Sequence, residues 1–527
     1  MCNGTIMDKL ISFSLPLMLS GILQLMFNAV DIIVIGRFSG SQSLAAVGST
    51  TALINMFTNL FIGISLGANV LSARFYAADK DKEMSETVHT AITLALISGI
   101  IMVFVGLIFA KPVLELMDTP DDVINLSTLY MRIYFMGMPF FMLYNYGASI
   151  LRAVGDTKRP LFYLIVAGIA NAGLNMCLVI IFHLGVAGVA IGTVISQLIS
   201  SILVLRCLYR SETSYQLRFS KLKIQKEYLK QIFQVGIPAG IQSTVINFSN
   251  VLLQSSVNSF GSIAMAGYTA ANNIFGFLYV TVNAVTQACM SFTSQNYGVG
   301  KWKRMDRVLI DCLILSFVAM MILGNSAYFF GPKLLTIYTS NSKVIQCGME
   351  ILLYTTVTYF LCGFMDLFPG ALRGMGRSGV PMILSIIGTV GTRIVWIFWI
   401  FPNHRSLDIL FISYPASWII TIVLQVICYY FVRKQLYAKM SRSIITNRQY
   451  INQNWKNVLP FFVGILHIGI LFFFFMNMNL RNCYIIIENR MFFFFFLFYF
   501  INMFLNLIKI FCMDLGYCNI FAFHFIF

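Results

Sequence analysis

The sequence predicts an all-α polytopic membrane protein: twelve transmembrane helices in two six-helix repeats, plus an atypical apolar C-terminal tail. Three observations carry this. The 527 residues are 58% hydrophobic and only 11% charged, with a mean hydropathy of +0.80, whereas soluble domains carry about 25% charged residues. Apolar spans of bilayer length recur along the chain as far as residue 440. Basic residues alternate from loop to loop, and the second half of that region repeats the first.

The first span lies near residues 11–36. At about 1.5 Å per residue, a helix of that length crosses a bilayer with some tilt. It is too long for the apolar core of a secretory signal, and no cleavage site follows it. Five more spans lie near 44–73, 88–110, 126–150, 161–182 and 186–205. A second set lies near 231–257, 264–292, 308–330, 346–371, 380–401 and 409–432. The expected domains are therefore a bundle at 1–209, a cytosolic linker at 210–230 and a bundle at 231–440. The linker carries Arg210, Arg218, Lys221, Lys223 and Lys226. Beyond the second bundle, residues 441–527 are rich in Phe, Asn, Ile and Tyr. That tail is apolar enough for one or two extra membrane helices, near 458–477 and 491–513. Its residue types are also those of AT-rich codons, so mistranslated sequence is the other reading.

Lys and Arg number 36 against 20 Asp and Glu, a formal charge of +16. Their placement argues for topology and against a nucleic-acid partner. One side of the bundle collects Arg74, Lys80 and Lys82, then Arg152, Lys158 and Arg159, then the linker. It continues with Lys301, Lys303, Arg304 and Arg307, with Arg373 and Arg377, and with Arg433, Lys434 and Lys439. The other side holds only Arg37, Lys111, Lys333, Lys343 and Arg405. The positive-inside rule puts both ends of the twelve-helix core in the cytosol. Eleven cysteines lack paired or metal-like spacing, which favours neither a disulfide framework nor a zinc site. There is no HExxH, P-loop or nucleophile elbow, and the five histidines are dispersed, so an enzyme is not expected. Without a nucleotide site, any transport has to draw on an ion gradient, and no cofactor beyond that ion is expected.

The halves repeat at a constant offset. LRAVGDTKRP at 151–160 matches LRGMGRSGVP at 372–381, 221 residues on. Pro16, Asn28 and Phe38 recur as Pro238, Asn250 and Phe260, 222 residues on. Tyr76 and Lys80 recur as Tyr297 and Lys301. An even number of spans per half makes the repeats parallel, related by a pseudo-twofold along the membrane normal. Such halves enclose a central cavity and rock about it.

Asp31 is the only acid within the first span. Gln24, Asn28 and Asp31 are spaced by four and then three residues, which stacks them along one helical face. A carboxylate in hydrocarbon costs several kcal/mol, so it should face a polar interior. It reads as a proton or cation switch held by an amide such as Asn28, or as a structural Asp that satisfies a neighbouring helix. Asn247, Asn250, Gln254 and Asn258 form the equivalent stripe on the seventh span, with Leu253 at the Asp31 position. Further pairs are Asn55 and Asn59, Asn171 and Asn175, and Asn283 and Gln287. Each can bridge helices or line a wet central cavity. Asp366 and Arg393 are secondary candidates, as an ion pair or in coupling.

Longer stretches carry a resemblance. NAVDIIVIGRFSGSQSLAAVG at 28–48, MPFFMLYNYGASILRAVGDTKRPLFYL at 138–164 and GALRGMGRSGVPM at 370–382 resemble the multidrug and toxin extrusion (MATE) family of cation-coupled antiporters. The resemblance covers about Met7 to Lys439. It implies two bundles in a V-shaped arrangement and export of amphipathic, often cationic small molecules against H+ or Na+. It further implies a bacterial plasma-membrane protein, acting as a monomer among lipids. Asp31 falls on the family's coupling Asp of the first helix, and Asn175 on the fifth-helix Asn of the proton-coupled branch. That branch has a second Asp where this chain has Val179. The sodium-coupled branch has a seventh-helix Glu, and here no acid lies between Tyr228 and Asn258. Its tenth-helix Asp is out of register with Asp366. The lean is towards H+ through Asp31. The alternative function is a lipid-linked saccharide flippase of the same superfamily.

Overall fold

The computed structural model describes residues 1–117 and 119–441. They are helical throughout, with no strand among the described residues. The first half holds α1 (Met7–Phe38), α2 (Gly40–Ala77), α3 (Asp81–Leu116), α4 (Asp121–Met136), α5 (Met138–Ala153), α6 (Lys158–Met176) and α7 (Gly185–Arg210). The second holds α8 (Lys226–Asn258), α9 (Ser262–Gly298), α10 (Trp302–Phe329), α11 (Gly331–Thr336), α12 (Ser342–Thr356) and α13 (Tyr359–Gly374). It ends with α14 (Gly379–Ser385), α15 (Thr392–Val395) and α16 (Leu407–Ser441). The chain divides into two compact units, Met1–Tyr429 and Tyr430–Phe527. The first contains α1 to α15 and most of α16. The expected tail helices near 458–477 and 491–513 lie outside the described residues.

Each of the twelve predicted spans falls on helix. Among the described residues, nine helices are long and apolar enough to cross a membrane, or ten when α12 and α13 are taken together across a 44° bend. The two remaining spans depart from the pattern for physical reasons. The fourth is broken into α4 and α5 at Gly137, with Pro139 at the start of α5. Proline has no N–H to continue the ladder, and the residue before it avoids the helical region. The seventh, α8, is 33 residues long, about 50 Å at 1.5 Å per residue. Its polar stripe dilutes its apolarity below that of its neighbours.

The duplication is visible in the backbone. α5 starts at Met138 and α13 at Tyr359, and they end at Ala153 and Gly374. Both ends are offset by the same 221 residues. The matched turns that follow place Gly155 and Gly376 at φ of 99° and 79°, a left-handed conformation that a Cβ disfavours. Spans five and eleven both pass into π-helical turns, Cys177–Ile181 and Trp396–Ile400. The first half buries a core of Leu71, Met84, Val88, Phe135, Tyr146 and Leu151 among others.

The halves meet along α2 and α8. A Cβ on Gly63 would lie 2.3 Å from the Gly240 Cα, and one on Gly67 would lie 2.2 Å from the Ile232 oxygen. In return, a Cβ on Gly236 would lie 2.5 Å from the Ile64 Cα. Two GxxxG pairs, Gly63 with Gly67 and Gly236 with Gly240, therefore bring the backbones into direct contact. In lipid, where apolar side chains gain little by pairing, such approach is what drives helix association. The pseudo-symmetric contact of α1 with α9 is looser, with Gly21 facing Val280 and the Phe13 and Phe292 rings 5.6 Å apart.

Polar bonds tie the same end, the one bearing the basic loops. Ser291 Oγ donates to Asn69 Oδ1 at 3.0 Å, Ser294 Oγ to the Val70 carbonyl at 2.6 Å and Gln295 Nε2 to the Ala153 carbonyl at 2.7 Å. Arg152 Nη1 donates to Gln287 Oε1 at 3.1 Å, and the Arg74 guanidinium lies 4.6 Å from the Tyr297 ring centre.

Replacing Gly63 by Leu should force this end open, because the atom it meets is backbone and cannot rotate away. The expected cost is about 1–3 kcal/mol. Spin-label distances between α3 and α10 at the basic-loop end should lengthen in detergent. Unchanged distances would show that the glycine crossing does not set the closure.

Candidate functional site

The polar residues of the first half close into a ring around Asp31, which is 8% exposed. Asn175 Nδ2 donates to Asp31 Oδ1 at 2.5 Å and reaches Asn171 Oδ1 at 3.3 Å. Asn171 Nδ2 donates to Thr193 Oγ1 at 3.4 Å, and Thr193 Oγ1 donates to Asp31 Oδ2 at 3.5 Å. The ring thus joins α1, α6 and α7. The i, i+4 spacing of Asn171 and Asn175 puts both amides on the α6 face towards α1. Gly192 lets Asn175 in: a Cβ there would lie 2.1 Å from Asn175 Oδ1. Tyr130 and Tyr134 of α4 come close enough to feel the Asp31 charge.

Among the described residues no cation sits on this carboxylate. Its hydrogen-bond partners are an amide and a hydroxyl. Hydrogen bonds to a charged group are worth about 1.5–3 kcal/mol each, less than full charge compensation would give. The carboxyl is thus held by one neutral donor at each oxygen.

Gln24 and Asn28 do not join the ring, although the spacing put them on the Asp31 face. Both are exposed, and neither bonds Asp31. The shared arc straddles an edge: Asp31 turns into the α6 and α7 packing, and Asn28 and Gln24 stay outside it. Thr193 was not legible as a ring member, because one hydroxyl in an apolar span carries no distinctive pattern.

In the second half, Arg393 is 3% exposed. Its Nη1 donates to Asn250 Oδ1 at 2.7 Å and to Ser249 Oγ at 3.3 Å, and its guanidinium lies 4.5 Å from the Tyr414 ring centre. The expected pairing with Asp366 does not form. Arg393 is on α15, which packs on α8, whereas Asp366 is on α13, which packs on α9. Asp366 instead lies near Tyr279 and Arg373, and Arg373 Nη2 donates to Gln242 Oε1 at 2.7 Å.

The remaining amides divide. Asn55, Asn247, Gln254 and Asn283 are exposed, and Asn59 and Asn250 are half-buried. Gln287 Nε2 donates to Asn283 Oδ1 at 3.2 Å while its Oε1 takes the bond from Arg152. That pair belongs to the tie between the halves as well as to the inner surface.

The ring predicts an energetic coupling. Asn175→Leu keeps the branching and the number of heavy atoms and removes the donor, so the purified protein should melt at lower temperature. In an Asp31→Asn background the same change should cost less, with a coupling of about 0.5–3 kcal/mol in the double-mutant cycle. Additive losses in the melting experiment would mean that the bond contributes nothing.

The comparisons with known proteins fit this geometry. The sequence model of the MatE family matches residues 16–181 and 238–399, one stretch in each half. The probable multidrug resistance protein YoeA of Bacillus subtilis (strain 168) is 30% identical over 434 residues, covering 80% of this chain and 93% of its own. The multidrug export protein MepA of Staphylococcus aureus (strain NCTC 8325 / PS 47) is 23% identical over 387 residues, covering 73% and 85%. Among solved structures, a MATE protein in the bent conformation superposes with a TM-score of 0.76 at 20% identity, over 84% of this chain and 97% of that one. An outward-facing multidrug resistance MATE transporter gives 0.76 at 21% identity, over 82% and 97%. With both halves matched in sequence and the whole bundle matched in fold, the chain belongs to the MatE family of multidrug and toxin extrusion transporters.

Proposed function

We propose that this protein exports amphipathic small molecules across a bacterial plasma membrane by antiport against H+, acting as a monomer. The observation that carries the mechanism is the Asp31 ring, which spans three helices and holds its carboxylate with neutral donors. Protonation removes one charge and one acceptor from the ring. A shift of one pKa unit corresponds to about 1.4 kcal/mol between protonation states, enough to bias two nearly balanced conformations. The proton suits the ring better than Na+, because the ring offers one titratable carboxyl and, among the described residues, no second acid bonded into it. Asn55, Asn59, Asn247, Asn250, Gln254 and Asn283 then offer hydrogen-bonding groups to a substrate between the halves, with Gln24 and Asn28 at its edge. The multidrug relatives support this reading and do not favour the saccharide flippase.

Asp31→Asn keeps size and hydrogen bonding but removes titration. The expected result is a well-inserted protein that binds substrate and fails to move it uphill. Everted vesicles with an imposed pH gradient, a sodium gradient, or neither give the measurement. Gradient-dependent export by this variant equal to wild type would turn attention to Asp366, and export driven by sodium alone would replace the proton.

A further inference from the structure

We propose that Arg393 is an anion-recognition site in the second half, which takes the carboxylate of a zwitterionic amphipathic substrate. This deepens the proposed function and rests on it. The guanidinium is buried, yet among the described residues no carboxylate lies within 4.0 Å of it. Its Nη1 is bonded to Asn250 and Ser249, and its face is covered by Tyr414, whose hydroxyl lies 3.1 Å from that of Tyr268. Its Nε is buried with no partner, and its Nη2 makes no hydrogen bond to the described residues. All of this surrounding is neutral. Hydroxyls, an amide and a ring face offset only part of the cost of burying a charge, which runs to several kcal/mol when it is uncompensated. One negative charge completes the site, and the planar fork of Arg suits the two oxygens of a carboxylate.

The site is within reach of a ligand. Asn250 is half-exposed, and Asn247 and Gln254, one turn to either side on α8, are exposed. The guanidinium therefore lies one side chain beneath a polar surface stripe. The duplication sharpens the point. At the 221-residue offset of this region Arg393 corresponds to Ala172, the neighbour of Asn171, and Asn250 stands 222 residues after Asn28. Where the first half builds a carboxylate into its α1, α6 and α7 ring, the second builds a guanidinium into the matching region. Two matching sites of opposite charge, Asp31 and Arg393, suit a molecule with two poles better than a simple cation.

The test uses the full chain in detergent and two dyes that differ at one group. Rhodamine 110 carries a free carboxylate, and rhodamine 123 is its methyl ester. Fluorescence polarisation gives the acid-to-ester affinity ratio. Arg393→Gln should lower that ratio about tenfold, the size expected for losing a hydrogen-bonded charge contact. Asn250→Asp serves as the second variant. It keeps the arginine and the volume but supplies an internal carboxylate to Nη1, so it should lower the ratio in the same direction even if Arg393→Gln does not fold. A ratio unchanged in the folded variants, with both dyes bound, would overturn this inference and leave the proposed function standing. Wild type that bound neither dye would overturn both. A soluble short-chain phosphatidic acid, titrated against rhodamine 110, separates the other source of an anion. Its displacing the dye at lower concentration than unlabelled benzoate-bearing competitors would assign the site to a lipid phosphate and overturn the substrate reading.

Discussion

The contact on which the arrangement depends is the crossing of α2 over α8 at Gly63, Gly67, Gly236 and Gly240. In a bilayer the lipid tails are as apolar as the side chains, so two bundles gain little by merely touching. They gain dispersion contacts when backbones meet without intervening side chains, and those contacts fade within about an ångström of separation. The hydrogen bonds from α9 to Asn69, Val70 and Ala153 lie around the same end and depend on that approach. A joint of this kind is steep in separation, as the proposed antiport cycle would need.

The duplicated scaffold carries unlike chemistry. Helix positions repeat almost residue for residue between α5 and α13, yet Asp31 corresponds to Leu253 across the pseudosymmetry, and Ala172 to Arg393. Repeating the backbone preserves packing. Changing single polar residues on it puts a buried carboxylate in one half and a buried guanidinium in the matching region of the other. The buried charges on the two sides are both held by neutral groups, so each is sensitive to what enters its surroundings.

Much of the fold was legible because hydropathy and loop charge are read over many residues, and local accidents average out. The twelve span positions and the constant offset follow from that. The site was legible in part. Asp31, Asn171 and Asn175 stand out because polar side chains are rare in apolar spans, and they meet. Thr193 and Tyr414 were not legible, since a hydroxyl in a membrane helix is unremarkable until its partner is known. The spacing of Gln24, Asn28 and Asp31 gave a common face but not where that face ends. Asp366 and Arg393 drew together on charge alone, whereas packing sends α13 to α9 and α15 to α8. The glycine pairs of α2 and α8 were visible as letters, but a GxxxG has meaning only opposite another backbone.

That crossing joins unlike members of the repeat: the second helix of one half meets the first helix of the other. On α1, the positions matching Gly236 and Gly240 are Ser14 and Met18, and on α9 those matching Gly63 and Gly67 are Ala284 and Ala288. Two copies of the first half would set α2 against a methionine, and two copies of the second would lack one glycine face altogether. Neither half can stand in for the other as a self-associating subunit. Fusion of the halves in one chain supplies each glycine face with its matching partner at equal stoichiometry.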